Sequence, residues 1–368
     1  MIKKIHLIYK EIIMQHITPT PQHVKYLGRT LFKDDVLWLA LSGSGIEFIF
    51  EGRYLEICMQ GDDHTAAGID LARIAVYVDK ERVIDEMINS PQPRYTIIDQ
   101  QTPRICTIRL LKLSEAPMSI VGIRSLVTDD TAYINSTPAK SLRIEFIGDS
   151  ITCGYGIDDE DLTHTFSTAT EDVTKAYAYQ TALSLDADYS MVSYSGYGVY
   201  SGYVDENSDI RNVSELVPPY YTLAGFSRGT YRGETVTMTD WDFGCFEPDI
   251  VVLNLGTNDN SYCRGNAGRE AEFVKCYQDF VACVRRNNPN AYILCTYGLM
   301  NCELTGSIEG ALNSYRQSAD DERISFLPLP TQTAADGYVV DYHPSIRTHR
   351  RAAEIITAKI REIIDQKS

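Results

Sequence analysis

No stretch of this chain approaches the roughly 18 consecutive apolar residues that a helix needs to cross a bilayer, so the sequence offers no helical membrane span. Positive charge is scarce as well: 34 Lys and Arg stand against 50 Asp and Glu, a formal net charge of -16, and no basic patch is set apart. Such a field repels phosphate backbones and anionic membrane faces, which argues against nucleic acid and membrane partners. The nine cysteines include no CxxC pair and no metal-ligand spacing. No His-Glu-x-x-His pattern occurs either, and His343 and His349, six apart, do not share a helix face, so no metal or cofactor is expected. Cys276, Cys283 and Cys295 lie in apolar stretches and read as buried thiols of a reducing cytoplasm. The opening "MIKKIHLIYKEIIMQH" carries a basic pair, but Lys10 and Glu11 interrupt what would be the apolar core of a signal peptide, so a cytoplasmic location is expected. Fixed-period repeats and low-complexity tracts are absent too.

What is there is ordinary for a globular protein: 368 residues, 44% hydrophobic and 23% charged, enough for two domains with a core each. Up to about residue 130 the chain reads as short β-segments such as "VLWLAL", "GIEFIFEG", "IAVYVDKERV" and "CTIRLLKL", rich in branched and aromatic residues and broken by Gly, Asp or Pro. This predicts an antiparallel β-sandwich over 1–136. The polar stretch "DDTAYINSTPAK", 129–140, reads as a linker. From 137 to 368 the pattern changes. Strand-like "LRIEFI", "YSMVSY", "DIVVLNL", "AYILCTY" and "ISFLPL" alternate with helical stretches near 175–186, 266–287, 307–319 and 345–366. That alternation predicts an α/β domain with a parallel sheet, whose chemistry would sit at the C-terminal ends of the strands.

Four strand ends carry reactive residue types. "IEFIGDSITCGYG" sets Ser150 on a turn after an apolar strand, either as a nucleophile or as an N-cap of the next helix. "SYSGYGVYSG" leaves the backbone N–H groups around Gly196 and Gly198 unshielded, as an oxyanion site or as plain turns. "DIVVLNLGTNDN" ends at Asn258, whose amide can stabilise negative charge without titrating, or can form an Asx turn. "VVDYHPSIRTHRRAAE" places His343 in the loop before the last helix, two residues after Asp341. A lone histidine beside a proline is commonly a surface residue. Acyl transfer, however, requires a nucleophile, a base and oxyanion donors together, and this topology brings all of them to one rim.

These blocks, "GDS" with Ser150, Gly196, "GTND" with Asn258, and His343, resemble those of the SGNH (GDSL-like) hydrolase superfamily across the second half of the chain. "WDFGCFEPDIVVLNLGTND", "DYHPS" and a β-rich leading domain carrying "YLGRT" resemble carbohydrate esterase family two, the acetyl xylan esterases with a jelly-roll domain ahead of a flavodoxin-like hydrolase. The resemblance implies Ser150 as nucleophile, His343 as general base and then acid, and an oxyanion hole from the Ser150 and Gly196 N–H groups with the Asn258 amide. Asp149 and Asp259 would organise loops. The superfamily's usual acid, three before the histidine, is here Val340. Asp341 is one residue closer, and in an extended loop residues two apart point the same way, which would let its carboxylate reach the His343 Nδ1. Some members orient the histidine by a backbone carbonyl instead.

Several motifs compete. "GFSRG" at 225–229 fits a G-x-S-x-G elbow around Ser227, yet no buried strand precedes it and no helical period follows. "SGSG" at 42–45 reads as a hairpin turn, His164 as a loop residue and His349 as decoration of the last helix. Among the aromatics near the blocks, Trp241 and Tyr342 are expected as pocket walls. The expected activity is removal of acetyl groups from acetylated xylan or xylo-oligosaccharides through an acyl-Ser150 intermediate, by a protein that could form a homo-oligomer. The alternatives are a lipase or thioesterase of the same superfamily, or a carbohydrate-binding protein without catalysis.

Overall fold

The computed structural model describes residues 14–367; the segment with Lys10 and Glu11, read above against a signal peptide, lies outside the described residues. The β-segments pair antiparallel in one ten-stranded sheet. Its strands are β1 (Met14–Ile17), β2 (Lys25–Leu27), β3 (Thr30–Lys33), β4 (Val36–Leu39), β5 (Gly45–Gly61), β6 (Arg73–Val78), β7 (Glu81–Met87), β8 (Arg94–Lys112), β9 (Val121–Asp129) and β10 (Tyr133–Ser136). The long β5 pairs with β8 throughout, while its other edge takes β2 and β10 first and β9 later. The register slips between Gly52 and Tyr54, where the partner changes. A bulge bends and twists a strand, so the sheet wraps an apolar interior that includes Phe48, Phe50, Leu55, Ile57, Ile108 and Leu110. Two expectations are corrected. Residues 129–140 are not a free linker, because Tyr133–Ser136 pairs with Phe48–Glu51 and buries Ile134. The "SGSG" stretch is a turn but joins no hairpin, since β4 pairs with β3 and β9 and not with β5.

The second half forms a five-stranded parallel sheet of β11 (Arg143–Gly148), β12 (Asp188–Ser193), β13 (Ile250–Asn254), β14 (Tyr292–Tyr297) and β15 (Ile324–Pro328), in the order β12-β11-β13-β14-β15. Its helices are α1 (Ser150–Cys153), α2 (Tyr177–Ser184), α3 (Pro218–Tyr221), α4 (Thr257–Cys263), α5 (Ala267–Asn287), α6 (Thr305–Ala319) and α7 (Ile346–Lys367). None of the described helices is long and apolar enough to cross a membrane. The chain leaves β11 for β12 on one side and later returns to place β13 on the other. That reversal opens a crevice at the carboxyl ends of β11, β12 and β13, the flavodoxin-like switch point.

The leading half keeps a core of its own around Phe48, Phe50 and Ile108, but two further buried clusters join it to the second half. Val36, Trp38, Ala40, Leu41, Ala116 and Ile120 of the leading half pack in one buried cluster with Ile147, Val192 and Leu253 of the second. Leu27, Ala75, Leu111 and Leu113 likewise join Ile144, Phe146, Tyr177 and Ile356. Arg29, from "YLGRT", is buried at this junction: its Nη2 donates to Glu145 Oε1 in β11 at 3.0 Å, and its Nη1 to the carbonyls of Tyr221 and Leu223.

Candidate active site

The turn from β11 into α1 places Ser150. At Gly148 a Cβ would collide with Thr152 Oγ1, so only glycine lets the chain turn this sharply. Asp149, not Ser150, is the N-cap: its Oδ1 accepts the Ile151 N–H at 3.0 Å. Freed from capping, Ser150 stands as the first helical residue with its Oγ 2.9 Å from His343 Nε2. Two groups 193 positions apart in sequence are thus within hydrogen-bonding distance.

His343 is held by a small hairpin, β16 (Tyr338–Val339) against β17 (His343–Pro344). Between them Asp341 and Tyr342 have φ of 53° and 57°, the left-handed region. This overturns the argument for Asp341 as the residue that orients His343. Side chains two apart share a side only along an extended chain, and this chain is tightly coiled. The Asp341 Oδ2 instead accepts the Tyr155 hydroxyl at 2.7 Å. The His343 Nδ1 is buried and has no hydrogen-bond partner among the described residues. Burial lowers the His343 pKa to about 4, opposed by the Asp341 charge and by the backbone carbonyls of Asp341 and Val340, which face the ring. At neutral pH the imidazole is therefore uncharged, and its Nε2, 2.9 Å from the serine Oγ, is placed to take the hydroxyl proton.

Tyr155 was not singled out from the sequence, although it sits in the same "GDSITCGYG" block. Its ring stacks on His343 with centroids 4.1 Å apart and on Phe166 at 4.0 Å, so it fixes the imidazole plane while its hydroxyl holds Asp341. Gly156 makes this contact possible, because a Cβ there would strike Val340 in the histidine loop.

The oxyanion candidates line the same cleft as Ser150 and His343. Gly196, at φ 82°, and Ser150 present backbone N–H groups that donate to no acceptor among the described residues. Asn258, early in α4, donates one amide hydrogen from Nδ2 to the Tyr197 carbonyl at 2.9 Å, which orients the amide and leaves its second hydrogen free. Asp259 next to it accepts the N–H groups of Val199, Tyr200 and Ser201, and so pins the loop that follows Gly196. Burial raises its pKa to about 6 and that of Asp149 to about 7.

The cleft measures about 600 Å³. Its walls include Phe166, Tyr203, Glu215, Asn301 and Met300, together with Met118 from the leading half. Trp241 and Tyr342, expected as walls, are elsewhere. Trp241 packs over the Arg29 guanidinium at 5.4 Å, drawn by cation–π attraction into the junction of the two halves. Tyr342 is 62% exposed and lies against Tyr338, turned outward by the left-handed backbone of its hairpin. Ser227 is no nucleophile: its Oγ accepts the Gly229 N–H at 3.0 Å in a local turn. His349 is not a surface residue. It is 1% exposed, and its Nδ1 accepts the Tyr177 N–H at 3.1 Å. His164 does lie in an exposed loop, bonded to Asp159. All nine cysteines are free; Cys295 is buried as expected, but Cys276 and Cys283 are only half-buried, and Cys245 and Cys302 are exposed.

A serine hydroxyl on an uncharged imidazole, with amide donors in the same cleft of a flavodoxin-like sheet, defines a nucleophilic acyl-transfer site. The chain belongs to the GDSL-like Lipase/Acylhydrolase family, whose model matches residues 146–351, and residues 26–155 match the carbohydrate esterase 2 N-terminal model. It is 35% identical over 345 residues to the cellulase/esterase CelE of Acetivibrio thermocellus, covering 92% of this chain and 39% of that protein. The chain thus spans about two fifths of the length of that relative. An acetylxylan esterase / glucomannan deacetylase of Cellvibrio japonicus is 25% identical over 357 residues, 95% of this chain and 91% of that protein. Among solved structures, an acetyl xylan esterase, Est2A, from the rumen bacterium Butyrivibrio proteoclasticus superposes with a TM-score of 0.85 at 25% identity, covering 96% of this chain and 99% of that one.

Proposed function

We propose that this protein is a carbohydrate O-acetyl esterase that removes acetyl groups from acetylated xylan or xylo-oligosaccharides. The observation that carries this reading is the 2.9 Å contact between Ser150 Oγ and the neutral His343 Nε2 in a cleft that also presents Gly196 and Asn258. In this reading Ser150 Oγ attacks the acetyl carbonyl as its proton passes to Nε2. The tetrahedral oxyanion is held by the Ser150 and Gly196 N–H groups and the Asn258 amide. His343 then protonates the departing sugar oxygen, and later takes a proton from the water that hydrolyses acetyl-Ser150. The sugar substrate is supported by the match of residues 26–155 and by the activities of the relatives. Cleft walls that mix aromatic rings with Glu215 and Asn301 suit a hydroxylated ring.

Acetic acid release from acetylated xylo-oligosaccharides tests the substrate, and aryl esters of acetate, butyrate and octanoate test the acyl group. The acetate ester turns over fastest in this account; faster turnover of the octanoate would make the enzyme a long-chain acylhydrolase instead. We place the protein in the cytoplasm as part of the same proposal, on its nine cysteines, all of them free thiols. Activity recovered with the cell envelope or medium during fractionation of the source cells would contradict that location.

A further inference from the structure

Behind the oxyanion loop lies a sealed cluster of four ionisable groups that acyl transfer does not use. Lys112 and Glu115 come from the end of β8 and the turn after it, Cys153 from α1, and Glu171 from the loop before α2. All four are 0% exposed. One donor atom from each of Glu115, Cys153 and Glu171 lies within 4.8 Å of the other two. Glu115 Oε2 accepts the Ser195 N–H at 2.8 Å, and Glu171 Oε2 accepts the Glu115 N–H at 2.7 Å. The Lys112 ammonium donates to the carbonyls of Ser114 and Glu115, and the Cys153 thiol to Ser193 Oγ at 3.2 Å. One oxygen of each carboxyl, Oε1 of Glu115 and Oε1 of Glu171, has no hydrogen-bond partner.

Charge decides how these groups coexist. Arg73 acts on Glu171, Arg228 on Glu115 and Asp62 on Lys112, while the only cation buried within the cluster is Lys112. Two carboxylates this close in a low-dielectric site do not both ionise. One anion balances the ammonium, and the other carboxyl keeps its proton. Burial raises both acids and lifts the Cys153 thiol, so one proton stays within the pair.

We propose that Glu115, contributed by the leading β-domain, is a positioning residue for acyl transfer: as one half of a Glu115–Glu171 acid pair that holds a single proton, it grips the Ser195 amide and thereby fixes the next peptide, which carries the Gly196 oxyanion donor. The leading half thus helps to build the oxyanion hole without touching substrate. This rests on the esterase reading above.

The test uses full-length Glu115→Gln and Glu171→Gln with an aryl acetate, together with infrared difference spectra at neutral pH. Displacing the Gly196 amide lowers kcat of Glu115→Gln about 10- to 100-fold with KM within about twofold. Glu171→Gln, whose amide N–H stands in for that proton, keeps at least about a third of kcat. The wild type shows a protonated carboxylic acid band that Glu171→Gln lacks. A folded Glu115→Gln enzyme with wild-type kcat would overturn the positioning role. Absence of the band from the wild-type minus Glu171→Gln difference, or one equivalent of zinc that co-purifies and is lost in Glu171→Gln, would overturn the acid pair. The infrared arm needs no substrate, so a wild type inert on acetyl esters counts against the proposed esterase activity while the band still judges the pair.

Discussion

At the scale of single residues, the chemistry rests on a hydroxyl and an imidazole from distant parts of the chain. Ser150 and His343 each stand beside backbone-shaping residues in the sequence, Gly148 before one and Pro344 after the other, and the fold brings them to 2.9 Å. Asp341 turns away from the imidazole because its loop is coiled and not extended, and nothing in "VVDYHPS" announces two consecutive left-handed residues. The consequence is measurable. Asp341→Asn should keep kcat within about tenfold of wild type, because the carboxylate meets Tyr155 and not the imidazole; a loss near 10⁴-fold is what a true triad aspartate gives. Asn258→Ala removes a donor from the oxyanion and should lower kcat about 10²- to 10³-fold, roughly 3 to 4 kcal/mol, and an unaffected rate would remove Asn258 from the hole. The acid limb of kcat/KM reports the free-enzyme base, so it should fall near pH 4, where burial has placed His343, and a limb at the ordinary histidine value of 6.5 would show a solvated ring.

At the scale of elements, periodicity located the strands of the parallel sheet and its longer helices, since each spans enough residues to display its period. It missed β10, which has four residues and only Ile134 facing inward. It also missed how α2 begins. The residue before that helix, Ala176, has no side chain able to cap it, and the acceptor for the Tyr177 N–H comes from His349 in α7. That bond needs a neutral ring, which burial secures by lowering the His349 pKa to about 3. A depressed histidine contributes stability that is present above its unfolded value of 6.5 and is lost as pH falls toward the folded value. His343 acts in the same direction between 6.5 and about 4. Asp149 and Asp259, raised to about 7 and about 6, act oppositely: their contribution is present below 3.8 and is lost as pH rises through the folded values. His349→Gln keeps an acceptor but cannot charge, so its melting temperature should decline less steeply than the wild type's between pH 6.5 and 4. Parallel declines would show that His349 does not titrate with unfolding. His349→Ala, which loses the acceptor altogether, should cost about 1 to 2 kcal/mol at neutral pH by chemical denaturation.

At the scale of the whole molecule, the change from β-segments to alternating strands and helices near residue 137 was visible, but the shared core was not, because nothing local marks Trp38 or Leu113 as packing against a sheet that begins at Arg143. The two halves are also clamped by the buried pair of Arg29 and Glu145. Glu145 also accepts the Tyr221 hydroxyl, yet it has no other cation among its described side-chain partners. Arg29→Met therefore strands a buried carboxylate, at a cost of about 3 to 5 kcal/mol. Calorimetry should show a single unfolding transition in the wild type and a markedly lower one in Arg29→Met; two separable transitions in the wild type would mean that the halves fold independently.

The account depends on Ser150 being the activated nucleophile of this cleft. Intact protein treated with a serine-directed phosphonate and mapped by peptide mass spectrometry tests this most directly. One adduct on Ser150, strongly reduced in His343→Ala, is the predicted result. An adduct on Ser227, or an unlabelled protein that still hydrolyses acetyl esters, would contradict it.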